Sequence, residues 1–362
     1  MKPRDPATES EPTMRTRSPM PGIGRHRLRL VARALVLAAV GVVALASPAA
    51  ADPPAPGDYA SEVTSIDPPV GTIDIRVVGG DSFLVLEVAA GTEVVVIGYD
   101  DEPFLRVLSD GTVEQNANSP ASYLNDDRYA EVAIPDRLRG VDIAALDPEW
   151  EAVGSGGTHA WHDHRVHWMA PNAPPAVPRG DSFDWSGVVP LVVDGERVEV
   201  SGVIHYREDV SPLPWIGAGL VAAAGGFFLL RGRSRLAAAV GAVGAVAAAA
   251  VAWATWDTAP SGVGVSPLPV IVAAVALGLS VVALLVPHRY RPILLLAVAA
   301  TLGSWGLLRF AVLTNPVLPT DLSFTADRAA TVAAMAVAVA LGTTAMGSLS
   351  PPPSSSGAPP SP

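Results

Sequence analysis

The stretch Ser211-Pro-Leu-Pro-Trp-Ile-Gly-Ala-Gly-Leu-Val-Ala-Ala-Ala-Gly-Gly-Phe-Phe-Leu-Leu230 divides the chain in two. From Leu213 to Leu230 it carries no charge. A helix of that length, rising about 1.5 Å per residue, crosses most of a hydrocarbon core about 30 Å thick. Ahead of it the sequence reads as short strands and turns. Behind it the apolar character persists.

Four more apolar runs follow, at 236–256, 268–287, 292–313 and 329–348, so residues 213–348 are expected to form five transmembrane helices in the lipid bilayer. The connections differ in charge. Arg231-Gly-Arg-Ser-Arg235 lies between the first two runs and His288-Arg-Tyr-Arg291 between the third and fourth, whereas 257–267 has only Asp257. Arginine-rich loops stay in the cytoplasm, which puts the N-terminal domain outside the cell membrane and the Pro/Ser-rich segment 349–362 inside, as a disordered tail. Ala237, Gly241 and Ala245 recur every fourth residue, a spacing that lets helix backbones approach closely. Arg309, near the outer end of its run, is expected to snorkel to the interface. Asp321, Asp327 and Arg328 fall in the outer loop by this reading, so no run carries a carboxylate. The bundle therefore reads as an anchor or assembly module and not as a conduit.

At the other end, Arg25, Arg27, Arg29 and Arg33 precede an apolar run from Ala34 to Ala46, and Ala49-Ala50-Ala51 follows. Residues 1–51 have the pattern of a secretory signal with a long polar leader and cleavage after Ala51. An uncleaved anchor helix is the alternative, and either puts Asp52 outside. Residues 52–212 are then an extracellular domain. Its runs alternate with period two, as in Thr72-Ile-Asp-Ile-Arg-Val-Val78, and two Asp-Gly pairs, Asp110-Gly111 and Asp194-Gly195, predict tight hairpins. The expected fold class is an all-β domain of Ig-like sandwich type followed by an α-helical membrane bundle.

Composition narrows the function. Of 362 residues 49% are hydrophobic and 16% charged, too apolar for an ordinary soluble chain. There is no cysteine, which excludes disulfides, thiolate metal sites and cysteine nucleophiles. The formal net charge is −11, and residues 52–212 hold 29 Asp and Glu against nine Arg, so no basic stripe is available for nucleic acid. G-x-S-x-G, phosphate-loop and H-E-x-x-H motifs are absent.

One cluster stands out: Thr158-His-Ala-Trp-His-Asp-His-Arg-Val-His-Trp-Met169 contains four of the seven histidines. Imidazole is the commonest transition-metal ligand. His162 and His164, two apart, would share one face of a strand, with Asp163 and Arg165 turned away. His159 and His167 have the other parity and would join across a bulge or turn. His205 could approach from a neighbouring strand, and Met169 adds a thioether. This donor set, without thiolate, suits a copper ion first and zinc second. The expectation is a membrane-anchored metal-binding protein acting in delivery, sensing or assembly without turnover. The alternative is a structural or interaction protein that docks an envelope partner and whose histidines form a packing network with nearby carboxylates. A hydrolytic zinc site is disfavoured: the H-x-H-x-x-H spacing has its aspartate misplaced for that chemistry. Asn125-Asp-Asp-Arg128 lacks the spaced oxygens of a calcium loop and reads as a turn.

Gly98-Tyr-Asp-Asp-Glu-Pro-Phe-Leu-Arg106, Asp110-Gly111, Ser119-Pro-Ala-Ser-Tyr-Leu-Asn125 and Trp161-His-Asp-His-Arg-Val-His-Trp168 resemble segments of an uncharacterised family of actinobacterial membrane proteins. The resemblance implies a secreted β-domain ahead of several helices and carries no activity. The layout is also similar to copper-handling CopC–CopD fusions. The chain departs from these at Asp52-Pro-Pro, which lacks their early histidine, and in spans without intramembrane histidines.

Overall fold

The computed structural model describes residues 54–349, apart from 171, 261, 262, 264 and 265. The expected signal segment 1–51 and the tail beyond Leu349 lie outside the described residues.

Eleven strands form the N-terminal domain: β1 (Tyr59–Asp67), β2 (Ile73–Val78), β3 (Phe83–Val88), β4 (Val94–Ile97), β5 (Pro103–Val107), β6 (Val113–Asn116), β7 (Trp150–Gly154), β8 (Thr158–Trp161), β9 (Ser182–Asp184), β10 (Val189–Val193) and β11 (Glu196–Tyr206). Every pairing is antiparallel. One sheet runs β1-β11-β10-β4-β5-β6-β7, with β9 also on β11, and a second runs β2-β3-β8. Alternate residues of both sheets turn inward to one core, with Ile73, Ile75, Leu84, Leu86 and Trp161 meeting Val96, Leu105, Leu191, Val198 and Val200. The antiparallel β-domain is as expected. The distribution of eight strands against three is not the near-even division of an Ig domain.

Both predicted hairpins are present. β5 and β6 close around Asp110-Gly111, where Gly111 has φ +83°. β10 and β11 close around Asp194-Gly195, with φ of +48° and +88°, the positive pair that a two-residue turn of right-handed strands needs. Gly202 is required for a different reason. A Cβ there would lie 2.2 Å from the Trp185 ring and 2.3 Å from the Glu62 carbonyl, so only glycine lets β1, β11 and the Trp185 indole close together.

After a short helix, α1 (Ala121–Leu124), the described residues include five helices long and apolar enough to cross a membrane: α2 (Leu213–Leu230), α3 (Ser234–Asp257), α4 (Leu268–Leu285), α5 (Arg291–Leu308) and α6 (Phe324–Leu349). The small-residue stripe works as its spacing predicts. Ala237 and Ala245 are fully buried, and a Cβ on Gly241 would sit 3.0–3.2 Å from Ser280, Leu341 and Val298. A second stripe joins α2 to α6: Gly219 faces Val332, and Gly226 faces Ala340 closely enough that a Cβ there would come within 2.9 Å.

The reading of the ionisable residues needs correction. α6 begins at Phe324, so Asp327 and Arg328 belong to a helix and not to a loop. Asp327 is fully buried, and both of its carboxylate oxygens accept from Arg309 Nη2 at 2.8 Å. Arg309 also donates to Thr255 Oγ1 at 3.1 Å. Arg309 therefore does not snorkel to water. It turns inward because a partner of opposite charge stands on the neighbouring helix, where pairing offsets the cost of burial. The bundle does contain a buried carboxylate.

The two parts of the chain are joined by backbone. Gly57 and Val317 exchange two hydrogen bonds of 3.0 Å, pairing the segment before β1 with the loop between α5 and α6. Val317 is buried against Gly80, where a Cβ would meet it at 2.8 Å. Arg328 holds the same loop from below, donating to the carbonyls of Val312, Asn315 and Pro316.

Candidate functional site

The histidine run begins on β8 but leaves it at once. The strand ends at Trp161, so the period-two argument that paired His162 with His164 does not apply. Asp163 is the cause. Its carboxylate is fully buried and accepts from Trp161 Nε1 (2.9 Å), from Arg165 Nε (2.8 Å) and Nη2 (2.7 Å), and from the Arg165 backbone N–H (3.1 Å). That last bond, with Val166 N–H donating to the Asp163 carbonyl, folds 163–166 into a turn. Burial alone would raise the Asp163 pKa. The Arg165 charge and hydrogen bonds outweigh it and hold the carboxyl below its ordinary range.

Arg165 then spreads over its surroundings. Its guanidinium lies 4.9 Å from the Tyr99 ring and reaches the carbonyls of Ile97 and Gly98. Tyr99 donates its hydroxyl to Asn125 Oδ1 at 2.5 Å and accepts from His164 N–H at 3.0 Å. Burial pushes the Tyr99 phenol up, so it remains a donor. Ser119 Oγ donates to the buried carboxylate of Glu102. Three of the four segments quoted for the family resemblance, remote in sequence, are thus one knot of hydrogen bonds, and Asp110-Gly111 stands apart in its hairpin.

The histidines fall into separate places. His164 Nε2 bonds the Asp127 carbonyl (3.0 Å), its ring 5.6 Å from that of His167 and edge-on to it. His162 Nδ1 bonds the Ser82 carbonyl (2.6 Å), with the ring 4.1 Å from Phe83. His162 and His164 both act electrostatically on Asp127 and on His167, so these three imidazoles are neighbours. His159 is not among them: it stays on β8 opposite Leu86, its ring stacked on Trp161. His205 is not among them either. It faces Ser182 Oγ (2.6 Å) and Glu62 (3.1 Å) across β11. Met169 is half-buried beyond Trp168. Among the described residues no three His, Asp or Glu side chains converge as a metal site. The Asn125–Arg128 segment is a turn, with the Asp127 carboxylate accepting from the N–H groups of Tyr129 and Glu131.

Burial lowers the pKa of His159 to about 4 and of His167 to about 3, the latter helped by the Arg128 charge. Both imidazoles stay neutral in the folded chain, while an unfolded histidine takes up a proton near 6.5. The unfolded state therefore binds more protons below that value, and stability present at neutral pH is lost as the pH falls from about 6.5 toward 4. The melting temperature of the full chain is expected to drop between pH 7 and pH 5. Each histidine contributes at most about 1.4 kcal/mol per pH unit, and His167→Gln should flatten the slope. A flat profile in the unmodified chain would contradict this.

Beside the knot, at His162 and Trp168, lies a polar cavity of about 740 Å³. Its walls include Tyr59, Asp81, Arg128, Trp168, Arg179 and Tyr206 from the β-domain, and Asn315 from the loop between α5 and α6. His162 also lines it. Arg128 donates to Asp81 (2.7 Å) and Arg179 to Asp58 (2.9 Å), so each guanidinium is matched by a carboxylate. Tyr59 stacks on Tyr206 at 4.9 Å, and Arg179 lies 4.5 Å from the Tyr206 ring. Sequence reasoning named the histidines and missed this cavity. Its available signal was the aromatic and arginine content of Arg128-Tyr129 and Trp168, beside the segments already singled out.

Comparison with protein-family models, curated proteins and solved structures gives no match.

Proposed function

We propose that this chain is a multi-pass membrane protein whose β-domain faces out of the cell and holds a small polar ligand or headgroup in the cavity at its junction with the bundle. The observation that carries this reading is the cavity itself. It is concave, polar and aromatic, and its lining comes from both the β-domain and an outer loop of the helices. Occupancy would therefore bear on both parts at once, as a sensor or assembly module requires. The orientation rests on the arginines at 231, 233, 235, 289 and 291, which belong to the two connections away from the β-domain.

The absence of native cysteine makes the orientation directly testable. Tyr129, 49% exposed at the rim, is replaced by cysteine, as is Arg233 in a separate chain. A membrane-impermeant maleimide added to intact cells is expected to label Tyr129→Cys and leave Arg233→Cys untouched. Labelling of Tyr129→Cys only after lysis would overturn the reading.

Metal binding remains a second reading, supported by one feature. His164 has its Nε2 held by a carbonyl, which leaves Nδ1 to carry the lone pair, and His167 Nε2 is buried without a hydrogen-bond partner among the described residues. A copper or zinc ion would need these rings to turn toward a common point. Titration of the full chain with Cu(II), Cu(I) and Zn(II) decides between them. One ion per chain, lost in His164→Ala/His167→Ala, establishes the metal; no binding leaves the imidazoles as packing.

A further inference from the structure

We infer that the ligand is an amphiphile with an uncharged, polyhydroxylated headgroup, a sugar-bearing lipid, seated with its headgroup in the polar cavity and an acyl chain along the bundle. This inference rests on the cavity reading above and adds the class of ligand.

The headgroup chemistry follows from the lining. Two carboxylates and two guanidiniums face the cavity, and each guanidinium already has its carboxylate. Asp81 is 5% exposed and Arg128 closes over it, so an anionic headgroup would have to displace a buried partner. A cationic headgroup would meet both arginines. Paired ions still present fixed donors and acceptors at their free edges, which suits vicinal hydroxyls. Trp168, half-buried in the lining, supplies a flat apolar face for the C–H side of a sugar ring.

The chain chemistry follows from a second feature. An apolar groove of about 140 Å³ runs between α2 and α6, lined by Trp215, Leu220, Leu313, Met335 and Val339 among others. It contains almost no polar surface and opens on faces of helices long and apolar enough to cross a membrane. Leu313 in the groove and Asn315 in the cavity are two residues apart in one short loop. A molecule polar at one end and apolar at the other, entering from the outer leaflet, would meet both.

The test is native mass spectrometry of the full chain, released from a non-sugar detergent. The probes are monoglucosyl diacylglycerol, phosphatidylglycerol, phosphatidylethanolamine and free maltose. The glucosyl lipid is expected to be retained at concentrations at least tenfold below either phospholipid, with maltose weaker still. Trp168→Ala at the cavity and Val339→Trp at the exposed edge of the groove should each reduce retention about tenfold, with unchanged melting temperatures showing that both variants fold. Preference for phosphatidylglycerol or phosphatidylethanolamine overturns the headgroup assignment. Maltose binding as tightly as the lipid, or Val339→Trp without effect, overturns the amphiphile. In those cases Trp168→Ala still lowering retention leaves the cavity reading standing. If no probe responds to Trp168→Ala, both fall.

Discussion

Asp163→Ala is expected to lower the stability of the β-domain by about 3–5 kcal/mol, the largest effect of any single truncation in that domain. The carboxylate is fully buried and satisfies four donors, three of them from Arg165. Its loss strands a guanidinium that keeps, among the described residues, the carbonyls of Ile97 and Gly98, the Tyr99 ring and the more remote charge of Glu102. A domain of this size loses roughly 10 °C or more in melting temperature, read by tryptophan fluorescence of the full chain. Most of the cost is the uncompensated charge. Asp163→Ala/Arg165→Met should therefore be more stable than Asp163→Ala alone. A double variant no better than the single one would mean that the carboxylate acts through the turn it caps and not through the ion pair.

Asp327→Ala is expected to have a comparable effect on the bundle, again about 3–5 kcal/mol. Arg309 is 8% exposed, and without Asp327 it keeps, among the described residues, a hydrogen bond to Thr255 and the Trp305 ring. Thermal loss of the far-UV helical signal in detergent should come at markedly lower temperature, and Arg309→Met in the same chain should restore part of the loss. Asp327→Asn keeps an acceptor for one guanidinium hydrogen and should fall between. A bundle that melts unchanged in Asp327→Ala would return Arg309 to the interface, as its place in the sequence first suggested.

The sequence made the elements legible where one local rule governed them. Asp110-Gly111 and Asp194-Gly195 demanded hairpins, and hairpins formed. The uncharged run from Leu213 fixed the first long helix to the residue. The histidine site was less legible because strand parity was extended past Trp161. What ends β8 is an ion pair between Asp163 and Arg165, two residues whose side chains parity had assigned to the opposite face. Asp327 was misplaced for a related reason: Thr325, Asp327 and Arg328 fall in the first turns of this helix, so its uninterrupted apolar run begins after the helix does. The opposite charges at the adjoining ends of neighbouring runs, Arg309 and Asp327, were the signal that could have joined them. The cavity had no local signature. Residues from 59, 81, 128, 168 and 315 become neighbours only through sheet pairing and the Gly57–Val317 bridge.

The contact of α2 with α6 sets an order of events during synthesis. About 110 residues separate Leu213 from Phe324, roughly 5 to 20 seconds of translation. Throughout that interval the notched face at Gly219 and Gly226 lacks Val332 and Ala340, and Arg309, once made, waits for its carboxylate. Arrival of the fifth long helix settles both at once, and through Arg328 it fixes the loop that floors the cavity. The β-domain can finish its sheets long before this. The cavity gains its Asn315 wall only with that loop, so a ligand held there, as proposed, would meet a complete site only in the finished protein.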